Sequence, residues 1–406
     1  MKVGIGFDNS QDAFSSGKNV AARAFEDGGL ARPDLALAFC HGDIDHDGFF
    51  DGLRSVVGPD VPVAGGSAIG IITSDTQCYE GNPSGCLMLE SDDLRLDFAV
   101  SDGLDRGERQ AGLRLAEKLG TDIAPPVFLF YDSIKRPATA TSPPVMNASA
   151  PLIEGVEEGM SHNVPILGAG LIGDYGFGPV SMFRGDGTGS QCAMAFSLHG
   201  PFTTYDRVMH GCTPLDGMYH TITRIDSDIV YELDDEPIER LIDEIYGNEK
   251  WRGQRPVDLV CLGINYGEKY GIPKESDYVN RIITGYLPDE RGIRLFEPDL
   301  SEGMSIQFML RDTGQIIESA KRNSIELIRD IKANGKKPFL GIYIDCAGRA
   351  AAYSNSETEE AAEVRRVFNR NGIPLFGFYS GVEIAPMQGK SRGLDWTGVL
   401  VVFAEG

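Results

Sequence analysis

The segment Val164–Gly173 reads VPILGAGLIG and carries the spacing Gly-x-Gly-x-x-Gly. Such glycines hold a dinucleotide only when a strand precedes them and a helix N-terminus follows to meet the pyrophosphate. Val164, Ile166 and Leu167 suit the strand, but the residues that follow, DYGFGP, are poor material for a first helical turn. The segment has two relatives in the chain, VPVAGGSAIG from Val61 and IPLFGFYSGVEIAP from Ile373. Each begins with an aliphatic residue, then Pro, two residues and Gly: Pro62 to Gly65, Pro165 to Gly168, Pro374 to Gly377. The siblings lack the dinucleotide spacing, so the motif belongs to a repeated turn, and no NAD is expected.

The surroundings repeat as well. Apolar runs precede each copy: LALAF at Leu35, VFLFY at Val127 and FLGIYI at Phe339. Between run and proline, apolar residues recur at helical spacing, as in Phe49, Phe50, Leu53, Val56 and Val57. Ser356 and Glu359 form a capping box for the third of these helices. Roughly two dozen residues after each proline another strand begins, at GCLMLE, QCAMAF and GVLVVF. The unit is strand, helix, strand into a glycine turn, and return strand. The expected fold is α/β, two domains with mixed sheets built from these units and a β-rich insertion in the C-terminal half. Gly107–Gly120, Glu236–Gly247 and Gln315–Gly335 read as amphipathic helices, and VDLVCLGI and SIQFMLR as strands. The acidic connector Asp226–Glu236 marks the expected domain boundary. Residues 1–30 supply a first strand and helix, 31–228 an N-terminal domain with two units, and 229–406 a C-terminal domain with the third. The long Pro/Ser/Thr/Ala-rich loop from Ser133 reads equally as a lid or as a surface excursion.

The chain has 406 residues, 37 basic and 60 acidic, for a formal charge of −23. That charge repels nucleic acid and anionic membranes. No apolar run reaches the roughly 20 residues a bilayer span requires, and the N-terminus lacks a signal-peptide core. Seven dispersed cysteines without C-x-x-C point to reduced thiols and a cytoplasmic location.

Several segments together resemble the FIST family of sensory proteins, which have an N-terminal and a C-terminal FIST domain. They are AFCHGDIDHDGFFDGL with VPVAGGSAIGII, then YVNRIITGYLPDERGIRLFEPDLSEGMSIQFMLRD, IYIDCAGRAAAY and GFYSGVEIAP. The chain departs from the family pattern at Gly66 and Ile71, where a cysteine and an acidic residue are usual, and at Val382, where glycine is usual. The resemblance implies small-ligand binding in the cytoplasm, with amino acids among the family's proposed ligands. Some members are reported to bind haem and sense nitric oxide, and many are linked to kinases. No output domain is visible in this sequence, so a sensor reading implies a separate signalling protein as partner or an unlinked role.

The candidate residues follow from both sources. Cys346 and Arg349 stand at a strand end, where ligands of open α/β sheets lie. Arg349 can clamp a carboxylate, Cys346 can act as a nucleophile, or both can be structural. Glu383 in its apolar turn can accept a proton or pair with an amine. Gly65, Gly66 and Ser67 can offer backbone N–H groups, and Tyr379 and His41 complete the expected wall. An enzyme acting on a small metabolite would use Cys346 or Glu383 as its catalytic group. Asp43, Asp45, Asp47 and Gly48 echo a calcium loop, but Arg54 fills the position that needs a bidentate Glu. Helix entry is the better reading, and no metal is expected. A haem, if bound, could use any of six histidines. The turns are expected to meet at an interdomain cleft holding a ligand between Arg349 and Glu383.

Overall fold

Each of the three prolines opens a strand that pairs in parallel with the apolar run before it. The motif glycines sit at matching register positions, Gly65 beside Ala38, Gly168 beside Leu129 and Gly377 beside Tyr343. A Cβ would lie 1.9, 1.9 and 2.3 Å from the carbonyl oxygens of Ala38, Leu129 and Tyr343. Glycine recurs because the two strands pass too closely for any side chain.

The computed structural model describes residues 1–120, 122–139, 144–350 and 357–406. Ser356 of the expected capping box lies outside them, as do residues 140–143 of the long loop. The first unit comprises β1 (Lys2–Asp8), α1 (Ala13–Gly28), β2 (Leu35–Cys40) and α2 (His46–Val57). It continues with β3 (Val63–Ser67), the hairpin β4 (Ile71–Thr73) and β5 (Gln77–Cys78), and β6 (Ser84–Glu90). The second runs β7 (Arg95–Asp102), α3 (Glu108–Leu119) and β8 (Val127–Asp132). A small hairpin of β9 (Ile134–Arg136) and β10 (Val145–Met146) leads into α4 (Ser149–Gly159) and β11 (Ile166–Leu171). The second unit ends in β12 (Met182–Gly185), β13 (Thr188–Gly189) and β14 (Cys192–His199).

The third unit opens with β15 (Phe202–Met209) and is then interrupted by a β-rich insertion. The insertion contains β16 (Thr213–Pro214), β17 (His220–Asp226), β18 (Ile229–Leu233) and β19 (Glu236–Pro237). After α5 (Ile238–Tyr246) come β20 (Val260–Asn265), β21 (Tyr278–Arg281), β22 (Ile283–Leu287), β23 (Gly292–Leu295) and β24 (Ser305–Leu310). These nine strands make one sheet. The unit resumes with α6 (Thr313–Ala333), β25 (Lys337–Cys346), α7 (Glu360–Arg370) and β26 (Leu375–Ser380). It closes with β27 (Val382–Met387), β28 (Lys390–Leu394) and β29 (Gly398–Glu405).

The unit's hairpin does not stay with its own sheet. The three six-stranded sheets run β1-β6-β2-β3-β12-β13, β7-β14-β8-β11-β27-β28 and β15-β29-β25-β26-β4-β5. The first unit's hairpin thus completes the third sheet, the second's the first, and the third's the second. Turn amides seal the same exchange: Ile69 N–H donates to Tyr379 O, Gly42 N–H to Gly173 O, and Gly381 N–H to Gly170 O. The inner faces share one core, where Phe39 stacks on Phe378 at 3.9 Å and meets Phe130 edge-on at 5.7 Å.

Two local readings are settled here. Asp45 is the N-cap of α2 and Asp47 lies in its first turn, so the acidic run is a helix entry. The expected boundary stretch Asp226–Glu236 holds strand β18. Its Ile229, Val230 and Leu233 are buried, and its strand β18 lies between β17 and β23. Gly168→Ala is expected to lower stability by about 3 kcal/mol through strand overpacking. Gly187→Ala, whose Cβ would meet nothing within 4 Å, should be close to neutral in the same urea titration.

Candidate functional site

Strands β25 and β26 end side by side, with Asp345 beside Tyr379 and Cys346 beside Ser380. A short turn, Ala347–Arg349, then folds the arginine inward. Arg349 is 1% exposed. Its Nε donates to the Glu360 carboxylate and stands 3.5 Å from Asp345 Oδ1. Its Nη1 donates to the carbonyls of Trp396 (2.7 Å), Met209 (3.1 Å) and His210 (3.2 Å). The expected carboxylate clamp is therefore mostly committed within the protein, and only Nη2 lacks a partner. Burial, with Glu360 adjacent, holds Asp345 well above the usual carboxylate range, against the pull of Arg349. Tyr379 is fully buried, and its hydroxyl donates to Glu359.

Glu383 starts the exchanged hairpin, opposite Ala169 of β11 and Leu394 of β28. It is 0% exposed; Oε1 accepts the Ser380 hydroxyl at 2.8 Å, and Oε2 has no partner. Burial pushes its pKa well up, against the Ser380 hydrogen bond, and Asp395 adds to the rise. Cys346 is buried beside it, and burial with the Glu383 charge raises the thiol well above its ordinary value. A thiol so placed resists ionisation and is a poor nucleophile. Iodoacetamide should leave Cys346 unmodified in the native protein and react first at the half-buried Cys78, as peptide mass mapping would show.

Sequence reasoning missed several buried polar residues around these strands. Asp395 follows β28; its Oδ2 accepts Ile282 N–H at 2.9 Å and its Oδ1 is unpaired. Burial lifts Asp395 to about 6. Glu297 accepts Ser149 N–H at 3.2 and 3.3 Å, and burial with Asp395 nearby lifts it to about 8. Tyr131 lies on the opposite face of the β11–β27 sheet, in the core beneath α3 and α4, and burial with the charges of Glu297, Asp395 and Glu383 raises its phenol. Tyr131 and Ser149 approach one another, yet neither hydroxyl makes a hydrogen bond of good geometry. A Cβ on Gly170 would meet the Tyr131 hydroxyl at 2.6 Å, and one on Gly393 would meet Ser149 Oγ at 1.9 Å. These bare positions let both hydroxyls reach across their neighbouring strands. Arg281 pairs with both oxygens of Asp299, at 2.7 and 2.5 Å, and donates to the Asn280 carbonyl at 2.8 Å. The Asn280 amide is 1% exposed and has no partner at either end.

The remaining expected residues lie on the first unit. Gly65, Gly66 and Ser67 form a buried strand between β2 and β12 instead of an open anion cradle, and Ser67 N–H donates to Ser181 O at 2.8 Å. Ser67 Oγ accepts Ser181 N–H at 3.0 Å and lies 2.8 Å from His46 Nε2. His41 is half-buried and holds Asp43 N–H at 3.3 Å. The structure thus brings Cys346, Arg349, Glu383 and Tyr379 together and leaves His41 and Gly65–Ser67 at the neighbouring strand ends. Arg349 and Glu383 are both buried, so they do not line the expected open cleft. Two surface cavities of about 400 and 380 Å³ lie elsewhere, the first between Phe7, Arg23, Thr73 and Asn369, the second around Arg54 and Phe98. The histidines named as haem candidates each touch a protein partner: Asp43, Ser67, Ser161, Asp97, Glu275 O and Asp234 for His41, His46, His162, His199, His210 and His220. Among the described residues no three His, Cys, Asp or Glu side chains are grouped to hold a metal ion.

The chain matches the FIST N domain over residues 34–236 and the FIST C domain over residues 240–386. It belongs to the FIST family. An uncharacterised protein of Mycobacterium tuberculosis is 24% identical over 413 aligned residues, spanning 100% of both chains. An uncharacterised protein of Mycobacterium bovis is 23% identical over 199 residues, 49% of this chain and 50% of its own. Among solved structures, a chorismatase aligns over 100% of both chains at 11% identity with a TM-score of 0.33. A cyanuric acid hydrolase from A. caulinodans aligns over 100% of this chain and 99% of its own at 11% identity and 0.32. Likeness at that level carries no functional argument. No helix among the described residues is long and apolar enough to cross a membrane.

Glu297 gives the site a measurable signature. With its pKa raised from 4.5 to about 8, the folded chain keeps a proton that the unfolded chain loses. Its contribution is complete below the unfolded value and is lost as pH rises through the folded one. The melting temperature should therefore fall between about pH 5 and about pH 8, and Glu297→Gln should flatten that fall. An unchanged slope in the variant would contradict the assignment.

Proposed function

We propose that the protein is a small-ligand-binding sensory protein whose ligand is held at the buried polar groups around Glu383. One observation carries this reading. Buried polar groups in native proteins are nearly always paired, yet Glu383, Asp395, Tyr131 and Asn280 all keep unpaired buried polar atoms. Their carboxyls also have raised affinity for protons, as functional sites commonly do. Glu383 is the principal ligand contact. Arg349, tied to Glu360 and three carbonyls, positions the strand ends and offers its remaining Nη2 as a charge partner. The seven free cysteines fit a reducing cytoplasm, and a separate signalling protein would receive the signal.

An enclosed site exchanges slowly, so the ligand should survive purification. Mass spectrometry of small molecules released from the native protein should find one stoichiometric compound. Glu383→Gln should lose most of it while keeping the circular dichroism spectrum. Full retention in that variant would place the ligand elsewhere. Recovery of a chemically altered compound after incubation would move the reading to an enzyme.

A further inference from the structure

The exposed apolar side chains of this protein are not scattered. Among the described residues five large ones are exposed, and three of these stand on two touching loops of the β-rich insertion. They are Met218, Tyr270 and Ile272, at 58%, 81% and 87% exposure. The first loop leads from β16 to β17, the second from β20 to β21. Tyr219 of the first meets Tyr270 of the second edge-on at 5.3 Å, and its hydroxyl accepts Asn265 Nδ2 at 2.7 Å. Lys269 Nζ lies over both rings, 4.7 and 5.5 Å from their centroids.

Single exposed apolar residues are ordinary, whereas a cluster of them marks a surface that meets a partner. The backbone points the same way. Tyr270 holds a φ of 69°, a left-handed conformation that costs a bulky residue free energy and that glycine takes freely. Its ring stands in water, already ordered against Tyr219 and Lys269, so little freedom is lost when a partner covers it. Tyrosine is also among the residues that most often anchor interfaces.

Charge selects the partner. The chain carries a formal −23, so two copies repel one another over most of their surfaces. The two loops differ. Their residues 215–219 and 266–274 hold Asp216, Glu268, Lys269 and Lys274, all exposed and two of each sign. A patch without net charge has no electrostatic pull on an anionic membrane or on a strongly acidic or basic protein. Both signs around an apolar centre make it complementary to itself, which is what a two-fold interface requires. We propose, independently of the ligand site, that these loops form the interface of a homodimer. Met218, Tyr270 and Ile272 of the two copies pack together, and the lysines of each copy face the acids of the other.

The test is sedimentation velocity of the full-length protein from about 1 to about 100 µM, where micromolar association shows. A monomer–dimer equilibrium is expected. Ile272→Asp should weaken it at least about tenfold and leave the melting temperature of the dilute protein unchanged, because that side chain lies in water. Tyr270→Gly should weaken the dimer by a similar factor while leaving the monomer at least as stable, which separates a lost contact from a damaged fold. Phe14→Ser, exposed on α1 in the first unit, should leave the association constant as it is. Lys269→Glu/Lys274→Glu and Glu268→Lys should each self-associate more weakly, and an equimolar mixture of the two should pair at close to the wild-type affinity. A monomer at every concentration, a dimer indifferent to Ile272→Asp and Tyr270→Gly, or charge variants that fail to pair when mixed would overturn the proposal. Binding to phosphatidylserine vesicles without dimerisation would also overturn it and make the patch a membrane contact.

Discussion

The structure depends on a simple deficit: the second strand of each unit has an outer edge that its own unit cannot pair. An unpaired edge is costly when buried and hazardous when exposed. Here β12 covers β3, β27 covers β11 and β4 covers β26, each hairpin arriving from a different unit. The exchange closes a ring of three sheets, so the two FIST domains are tied together by main-chain hydrogen bonds in both directions. Removing one hairpin would expose a buried strand edge in another unit.

The same exchange buries Glu383. It is the second residue of the third unit's hairpin, and the register sets it beside Ala169 of β11 and, one strand further, Phe130 of β8. A polar group of the C-terminal domain is thereby enclosed by the N-terminal one. Enclosure accounts for its raised proton affinity, since a carboxylate cut off from water and facing other carboxyls is better off neutral. The arrangement is costly for stability, as unpaired buried polar atoms generally are. Proteins tolerate such costs chiefly where binding recovers them.

Much of this was legible in the residues. The spacing from Pro62 to Gly65, repeated at Pro165 and Pro374, gives the parallel strand pairs because no other residue fits that approach. Cys346, Arg349 and Glu383 were recognisable as polar residues in apolar strand ends, though Arg349 proves to be a clamp on Glu360 and carbonyls. The acidic connector Asp226–Glu236 ends where the FIST N match ends, yet it holds strand β18, whose Ile229, Val230 and Leu233 are buried while Tyr231 and Glu232 stay half-buried. Tyr131, Ser149, Asn280, Glu297 and Asp395 gave no usable signal. Each is one polar residue in its own segment, and only the hairpin exchange, which no local pattern encodes, places them together.

The central claim is that Glu383 and Asp395 face a ligand. A crystal structure of the protein as purified tests it most directly. The account predicts continuous non-water density within hydrogen-bond distance of Glu383 Oε2 and Asp395 Oδ1. Those two groups paired with one another, or turned toward separate protein partners with side chains packed between them, would contradict it.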